Sequence, residues 1–224
     1  MLYRDGLMLV LDKPAGIPVH AGPGGGPNLE DGFDVLRYGF PNPPALAHRL
    51  DRDTSGCLVL GRHRKALARL GKLFQEGRIE KTYLAVLPVI PEKTEGTIDV
   101  PLAKVHKHKG WKMKAAAAGD AEVQSAVTDY KVLASEGGQS LIAFHPRTGR
   151  THQLRVHSMA AFGAAIVGDT IYGGEDAGKQ PRLYLHAAQI IIPLYANKPP
   201  IKVEAPLPPE FKALAVVAKW GGAL

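Results

Sequence analysis

A single cysteine, Cys57, stands among the 224 residues, which excludes an intrachain disulfide and every zinc module built on several thiolates. Its place in the apolar run Gly56-Cys57-Leu58-Val59-Leu60 marks it as a small buried hydrophobe rather than a nucleophile. Long hydrophobic runs are missing too. Tyr184 to Leu194 is interrupted by His186 and Gln189 and is too short to cross a bilayer as a helix. Met1-Leu2-Tyr3-Arg4-Asp5 shows neither the basic n-region nor the apolar h-region of a secretory leader, so a cytoplasmic location is expected. The glycine-rich stretch Gly22 to Pro27 lacks both the Gly-Lys-Ser/Thr ending of a P-loop and the GxGxxG spacing of a dinucleotide fold, and reads as a flexible loop. Metal-ligand patterns are absent: His152 and His157 are five apart, not HExxH-spaced, and His106-Lys107-His108 has no carboxylate or cysteine beside it. Without an internal repeat or a long linker, residues 1–224 are expected to form one domain.

What the chain does carry is positive charge. The formal net charge is +7, and an excess of that size favours a polyanionic partner without saying anything about the fold. Part of it is concentrated between Lys104 and Ala118, where Lys104, Lys107, Lys109, Lys112 and Lys114 alternate with His106, His108 and Trp111 and no acidic residue intervenes. Lysines interleaved with an aromatic suit a nucleic-acid backbone with a base to stack on, so this segment is a candidate RNA-binding arm.

Periodicity supplies the elements. Leu7 to Leu11 reads as a buried strand ended by Asp12-Lys13-Pro14. Ala66, Leu67, Leu70, Leu73 and Phe74 recur at helical spacing, predicting an amphipathic helix over 65–74 that stops near Gly77. Glu80 to Val89 alternates as a strand. Val127 to Leu133 and Ser140 to Phe144 are strands joined by the hairpin signal Glu136-Gly137-Gly138. Thr151 is placed as the N-cap of a helix reaching about Ala161, Tyr184 to Ile192 is a strand, and Pro208-Pro209-Glu210 opens a terminal helix holding Phe211, Leu214 and Val217. Hairpins with several separate helices indicate an α+β fold rather than regular βαβ winding.

The richest segment is His48-Arg49-Leu50-Asp51-Arg52-Asp53-Thr54-Ser55. It crowds charged and hydroxyl side chains between two apolar runs, as expected of a loop at a strand mouth that presents reactive groups on a rigid scaffold. Flanking arginines favour the ionised form of Asp51. Three further segments accompany it: Lys81-Thr82-Tyr83-Leu84-Ala85-Val86, Pro146 through His157, and Leu185-His186-Ala187 after Gly168-Asp169 and Tyr172-Gly173.

Together these four, with Asp12-Lys13-Pro14-Ala15-Gly16 and Ala126-Val127-Thr128-Asp129-Tyr130, resemble the RluA family of pseudouridine synthases from about Leu7 to Ala205. The resemblance implies a mixed, largely antiparallel sheet flanked by helices and loops around a central RNA-binding cleft. It implies isomerisation of uridine in structured RNA, ribosomal or transfer, with neither cofactor nor metal. By the same resemblance Asp51 is the catalytic nucleophile, attacking ribose C1′ or the uracil ring. Tyr83 packs on the target base, Arg155 pairs with the aspartate, Arg49 fills the gap left by the flipped base, and Leu185 lies beneath the uracil. Arg147, Arg150, His152 and Lys112 are the remaining candidate RNA contacts. The resemblance starts so near residue 1 that no preceding S4-type RNA-binding domain is expected. Nor is a membrane or obligate protein partner, and a monomer is expected.

The residue types suit that chemistry. A base leaving its stack costs a few kcal/mol, to be offset by stacking and backbone contacts. Tyr83 offers a flat face, and Arg49, Arg147 and Arg150 offer planar charge. Two other functions are compatible with parts of the pattern. A catalytically silent RNA-binding protein would not need Asp51, Tyr83 and Arg155 together. An N-glycoside hydrolase would need a second well-placed carboxylate, and Asp53, two residues along, is expected to order the loop instead.

Overall fold

In the computed structural model, which describes residues 1–22, 24–105 and 112–222, Met8, Leu9 and Val10 are wholly buried. They lie on strand β2 (Met8–Lys13), which follows the short β1 (Tyr3–Arg4). The strand continues two residues past its expected end. Asp12 and Lys13 pair with Cys57 and Gly56 of β4 (Ser55–Gly61), and Pro14 is what ends the ladder. The two-residue β3 (Ala45–Leu46) also pairs with β4, all seven of whose residues are buried.

The chain divides into two compact units. The first holds Met1–Lys81 and His186–Pro206, the second Thr82–Leu185 and Leu207–Leu224. In the first, β4 also runs parallel to β11 (Leu185–Ile192), with Ser55 opposite His186 and Gly56 opposite Ala187. Strand β12 (Ile201–Glu204) pairs antiparallel with β11. Helix α1 (Arg64–Gln75) covers this sheet, and its Leu70 and Leu73 join Met8, Val10, Cys57, Val59, Ile190 and Ile192 in one core. Burying a leucine fully is worth about 1.5–3 kcal/mol. The helix begins on His63, whose Nδ1 accepts from the Ala66 amide at 3.3 Å, and closes on Gly77 at φ +65°, whose N–H reaches Phe74. Cys57 is buried as expected, and burial pushes its thiol up to about 12.

In the second unit β5 (Glu80–Leu87, from Thr82 on), β10 (Gln139–Pro146), β9 (Val127–Glu136) and β6 (Glu95–Asp99) form an antiparallel series. The β9–β10 turn falls where the sequence signals it. Gly137 and Gly138 both take positive φ, +58° and +75°, the requirement of a two-residue hairpin that follows strand twist. A small hairpin of β7 (Leu102–Lys104) and β8 (Met113–Ala115) stands apart from that series. Within each unit the strand pairings among the described residues are antiparallel except β4 with β11, which makes the fold α+β with mixed, largely antiparallel pairing.

Two expected helices differ. Helix α2 spans Gln153–Phe162, and its N-cap position is held by His152 in the left-handed region (φ +53°), not by Thr151. The Gln153 carboxamide oxygen turns back to accept from the Arg150 amide at 2.9 Å and from the Thr148 hydroxyl at 2.8 Å, and the Gln153 amide donates to the Arg150 carbonyl at 3.1 Å. The terminal helix is two short ones, α3 (Pro209–Lys212) and α4 (Ala215–Trp220), because Leu214 between them is extended. No helix of the described residues is long and apolar enough to cross a membrane.

Candidate active site

The Asp51 segment belongs to the first unit. A tight turn closes it, the Thr54 amide donating to the Asp51 carbonyl at 3.2 Å. Beneath the turn lies a residue whose role the sequence did not disclose. Lys13 is 1% exposed, and its ammonium donates to the carbonyls of Pro14 (2.8 Å), Arg52 (2.8 Å) and Thr54 (2.9 Å). A buried cation must be matched by polar groups, and here backbone oxygens from both sides of the turn supply them. The Gly16 amide adds a bond to the Arg52 carbonyl at 3.0 Å, and Arg52 Nε returns one to the Gly16 carbonyl at 3.1 Å. The conformation of residues 51–54 is thus stitched to residues 13–16. The one signal in the sequence was a lysine at the end of an apolar strand, directly before proline.

His48 and Ser55, at the two ends of the octet, are structural. His48 is stacked on Phe74 at 4.7 Å, and its Nε2 accepts from the Val59 amide at 3.0 Å. Burial, with a smaller push from the Lys81 charge and against a backbone bond at Arg49, lowers its pKa to about 3, so it is neutral. Burial likewise lowers the Lys81 ammonium to about 8. Ser55 Oγ lies 2.8 Å from His186 Nδ1, with both residues buried. Gly56 sits at φ +107°, and a Cβ there would collide with the Ala187 carbonyl. Asp53 stands 3.7 Å from Arg52 Nε. Arg49 is exposed and its guanidinium makes no hydrogen bond or ion pair among the described residues, whereas Asp51 is half-buried.

The second unit carries the other candidates. Tyr83 lies on β5 opposite Phe144 and is half-buried. Arg155, on α2, is 2% exposed and forms a two-pronged ion pair with fully buried Asp169, Nε to Oδ2 at 2.7 Å and Nη2 to Oδ1 at 2.5 Å. Asp169 Oδ1 accepts also from the Ile171 and Tyr172 amides, both at 3.0 Å. Tyr172 gathers the surrounding groups. Arg155 lies over its ring at 5.3 Å and Lys112 at 5.2 Å, while its hydroxyl meets His152 Nδ1 and accepts from the Met113 amide, each at 2.9 Å. Arg155, His152 and Lys112 are therefore brought together around one tyrosine. Asp169 and Tyr172 were visible in the sequence only as parts of a motif, without roles.

Arg147 and Arg150 lie elsewhere in that unit. Arg147 is exposed and clamps Asp129 (2.6 and 2.9 Å), and Arg150 Nε donates to the Ser125 carbonyl at 2.9 Å. Hydrogen bonding by Arg147 holds the Asp129 carboxyl below its usual range against the cost of burial. Leu185 is 3% exposed and follows Tyr184, whose backbone bonds both Val86 and Val167. Of the proposed arm, 106–111 lie outside the described residues. Lys104 and Lys114 are paired with acidic residues downstream, Glu122 at 2.8 Å and Asp120 at 2.6 Å. His157 is structural: its two ring nitrogens meet Thr128 Oγ1 (2.9 Å) and the Val100 carbonyl (3.0 Å), and burial lowers its pKa. Among the described residues no His/Cys/Asp/Glu group could hold a metal ion.

The fold and the motif-bearing segments set on it are those of an RNA base-modifying enzyme of the pseudouridine synthase class. A family model described as RNA pseudouridylate synthase matches residues 7–160, and the chain belongs to that family, in its RluA branch. It is accordingly an isomerase that converts uridine in RNA to pseudouridine. An uncharacterized RNA pseudouridine synthase of Zymomonas mobilis is 45% identical over 96% of each chain. The ribosomal large subunit pseudouridine synthase C of Buchnera aphidicola is 35% identical over 95% of this chain and 68% of its own. Among solved structures, human RNA pseudouridylate synthase domain containing 4 superposes with a TM-score of 0.78 at 28% identity, covering 93% of this chain and 88% of its own.

Proposed function

We propose that Asp51 is the nucleophile of this reaction and that the substrate is a uridine in structured ribosomal or transfer RNA. The carboxylate attacks at ribose C1′ or at the uracil ring, and the bond from C1′ to N1 breaks. The freed uracil rotates, C5 bonds to C1′ as the Asp51 carboxylate is released from the atom it attacked, and the proton lost from C5 is balanced by one taken up at N1. Atoms are conserved, so neither a co-substrate nor a redox partner is needed. Tyr83 packs on the target base and is the candidate for moving the C5 proton. Arg155 is the cation that keeps the nucleophile charged, Arg49 occupies the place of the flipped base, and Leu185 supports the uracil. Arg147, Arg150, His152 and Lys112 contact the RNA.

The observation that carries the reading is the stitched turn. A buried lysine spends two hydrogen bonds on the backbone just after Asp51, at Arg52 and Thr54, and a third on Pro14, an arrangement suited to a group that must be held for reaction. Holding the cleaved uracil against the sugar then gives an effective molarity of about 10⁵ M or more, enough for re-addition before escape. The name of the Buchnera relative supports ribosomal RNA as the first substrate to test. We assign the reaction to the cytoplasm and to a monomer. The Asp51→Asn variant should bind RNA almost as tightly as the wild type and form no pseudouridine in RNA from cells lacking the gene. Product at near wild-type rate would refute the assignment. Mapping pseudouridines in cells with and without the gene names the target position.

A further inference from the structure

Helix α1 carries Arg64, Lys65, Arg69 and Lys72 and no acidic residue. The first carboxylate comes at its C-cap, Glu76. Lys65, Arg69 and Lys72 are spaced i, i+4 and i+7, so they line up along one edge of the helix, beside the Ala66, Leu70 and Leu73 positions that are buried in the core. At about 1.5 Å per residue the line is roughly 10 Å long. It runs into a cavity of about 400 Å³ formed by Arg69, Lys72, Glu76 and Arg78 on one side and by Tyr195 and Lys198, in the loop after β11, on the other. Four cations here face one carboxylate. Glu76 is shared between Lys72 and Arg78, each at 3.7 Å and well exposed, which neutralises little. Arg69 and Lys198 have no ion pair among the described residues, and Lys198 rests over the Tyr195 ring at 5.0 Å. That ring is fixed, because the Tyr195 hydroxyl donates to Asp5 at 2.8 Å.

We propose that this edge of α1 and its cavity form a second RNA-contact surface, on which Lys65, Arg69, Lys72 and Lys198 bind phosphates of the substrate. The chemistry selects a phosphodiester backbone over an acidic peptide. The cations follow a line, as successive phosphates do, and the rigid tyrosine face beside Lys198 suits a ribose or base rather than a carboxylate side chain. No residue of the surface belongs to the motifs that carry the family resemblance.

The inference rests on RNA being the substrate, so its test separates the two. Binding of a short fluorescein-labelled RNA hairpin would be measured against salt for the wild type, for R69Q/K72Q/K198Q, and for K93Q/K131Q/K212Q, which removes the same charge from exposed lysines elsewhere. Each phosphate contact contributes about 0.7–0.9 to the log–log salt slope. The first triple should therefore lower the slope by about 2–3, and the control triple should leave it at the wild-type value. A wild-type slope retained by R69Q/K72Q/K198Q, or an equal drop in both triples, overturns the surface while leaving the enzyme's substrate intact. Salt-independent binding by the wild type, with no pseudouridine formed, would instead remove the RNA reading itself.

Discussion

Arg155 and Asp169 meet in a fully buried, two-pronged ion pair fourteen residues apart in the sequence. The pair fixes the plane of the guanidinium before any substrate arrives, since Asp169 is itself held by the Ile171 and Tyr172 amides. An arginine so restrained keeps its remaining donors pointed in one direction.

Asp169→Ala removes the two-pronged partner of that buried guanidinium. Breaking a buried pair from one side costs about 3–5 kcal/mol, and urea unfolding should show a loss of that size. Arg155→Met strands the buried Asp169 carboxylate instead and should cost a similar amount, whereas the double variant Asp169→Leu/Arg155→Met, which removes both charges, should cost less than either single change. A double variant as unstable as the sum of the two singles would mean that packing, not the stranded charge, sets the penalty.

Lys13→Met removes the bonds to the Pro14, Arg52 and Thr54 carbonyls. Pro14 is exposed and the Arg52 carbonyl keeps the Gly16 amide, so the Thr54 carbonyl carries the penalty, about 1–3 kcal/mol for a buried acceptor left unsatisfied. Pseudouridine formation should fall further than the folded fraction does, because the turn loosens around Asp51. Activity that tracks the folded fraction alone would show the clamp to be purely structural.

Gly56→Ala forces a side chain into a positive φ and against the Ala187 carbonyl. Strain of that kind costs about 1–3 kcal/mol before the collision is counted. A thermal melt should register the drop, and Gly24→Ala, where no atom lies within reach of a new Cβ, should leave the midpoint nearly unchanged.

Two desolvated histidines set an acid limit. His48 is held neutral down to about 3, and His157 is also shifted downward, while both take up a proton near 6.5 once unfolded. The unfolded state therefore binds more protons below that pH, and stability present at neutral pH is lost as pH falls from about 6.5. Each such group contributes up to about 1.4 kcal/mol per pH unit. Between pH 6.5 and 4.5 the wild type should lose stability steeply, and His48→Gln should have a visibly shallower profile. Imidazole NMR shifts should show His48 still neutral at pH 5.

Much of the architecture was legible because it is local. The 65–74 helix follows from apolar spacing, and the 136–138 turn from two glycines that alone take positive φ cheaply. The differences were not legible in this way. At the start of α2, His152 holds the cap position expected of Thr151, and the Gln153 side chain is tied to Thr148 just before the helix and to Thr128 on β9, 25 residues away. The terminal helix was split by an extended Leu214 that the pattern of apolar residues does not mark.

The sequence by itself determined the family, the α+β class and the candidate residues, because ordered motifs and hydrophobic periodicity are properties of the chain read in one dimension. Only the tertiary structure decided which side chains hold those residues in place. Lys13 reaches the Thr54 carbonyl from 41 residues away, His186 meets Ser55 across 131, and Asp169 claims Arg155. Such partners are selected by the pairing of strands and by the need to match every buried charge and polar group, a condition that no local stretch of sequence expresses.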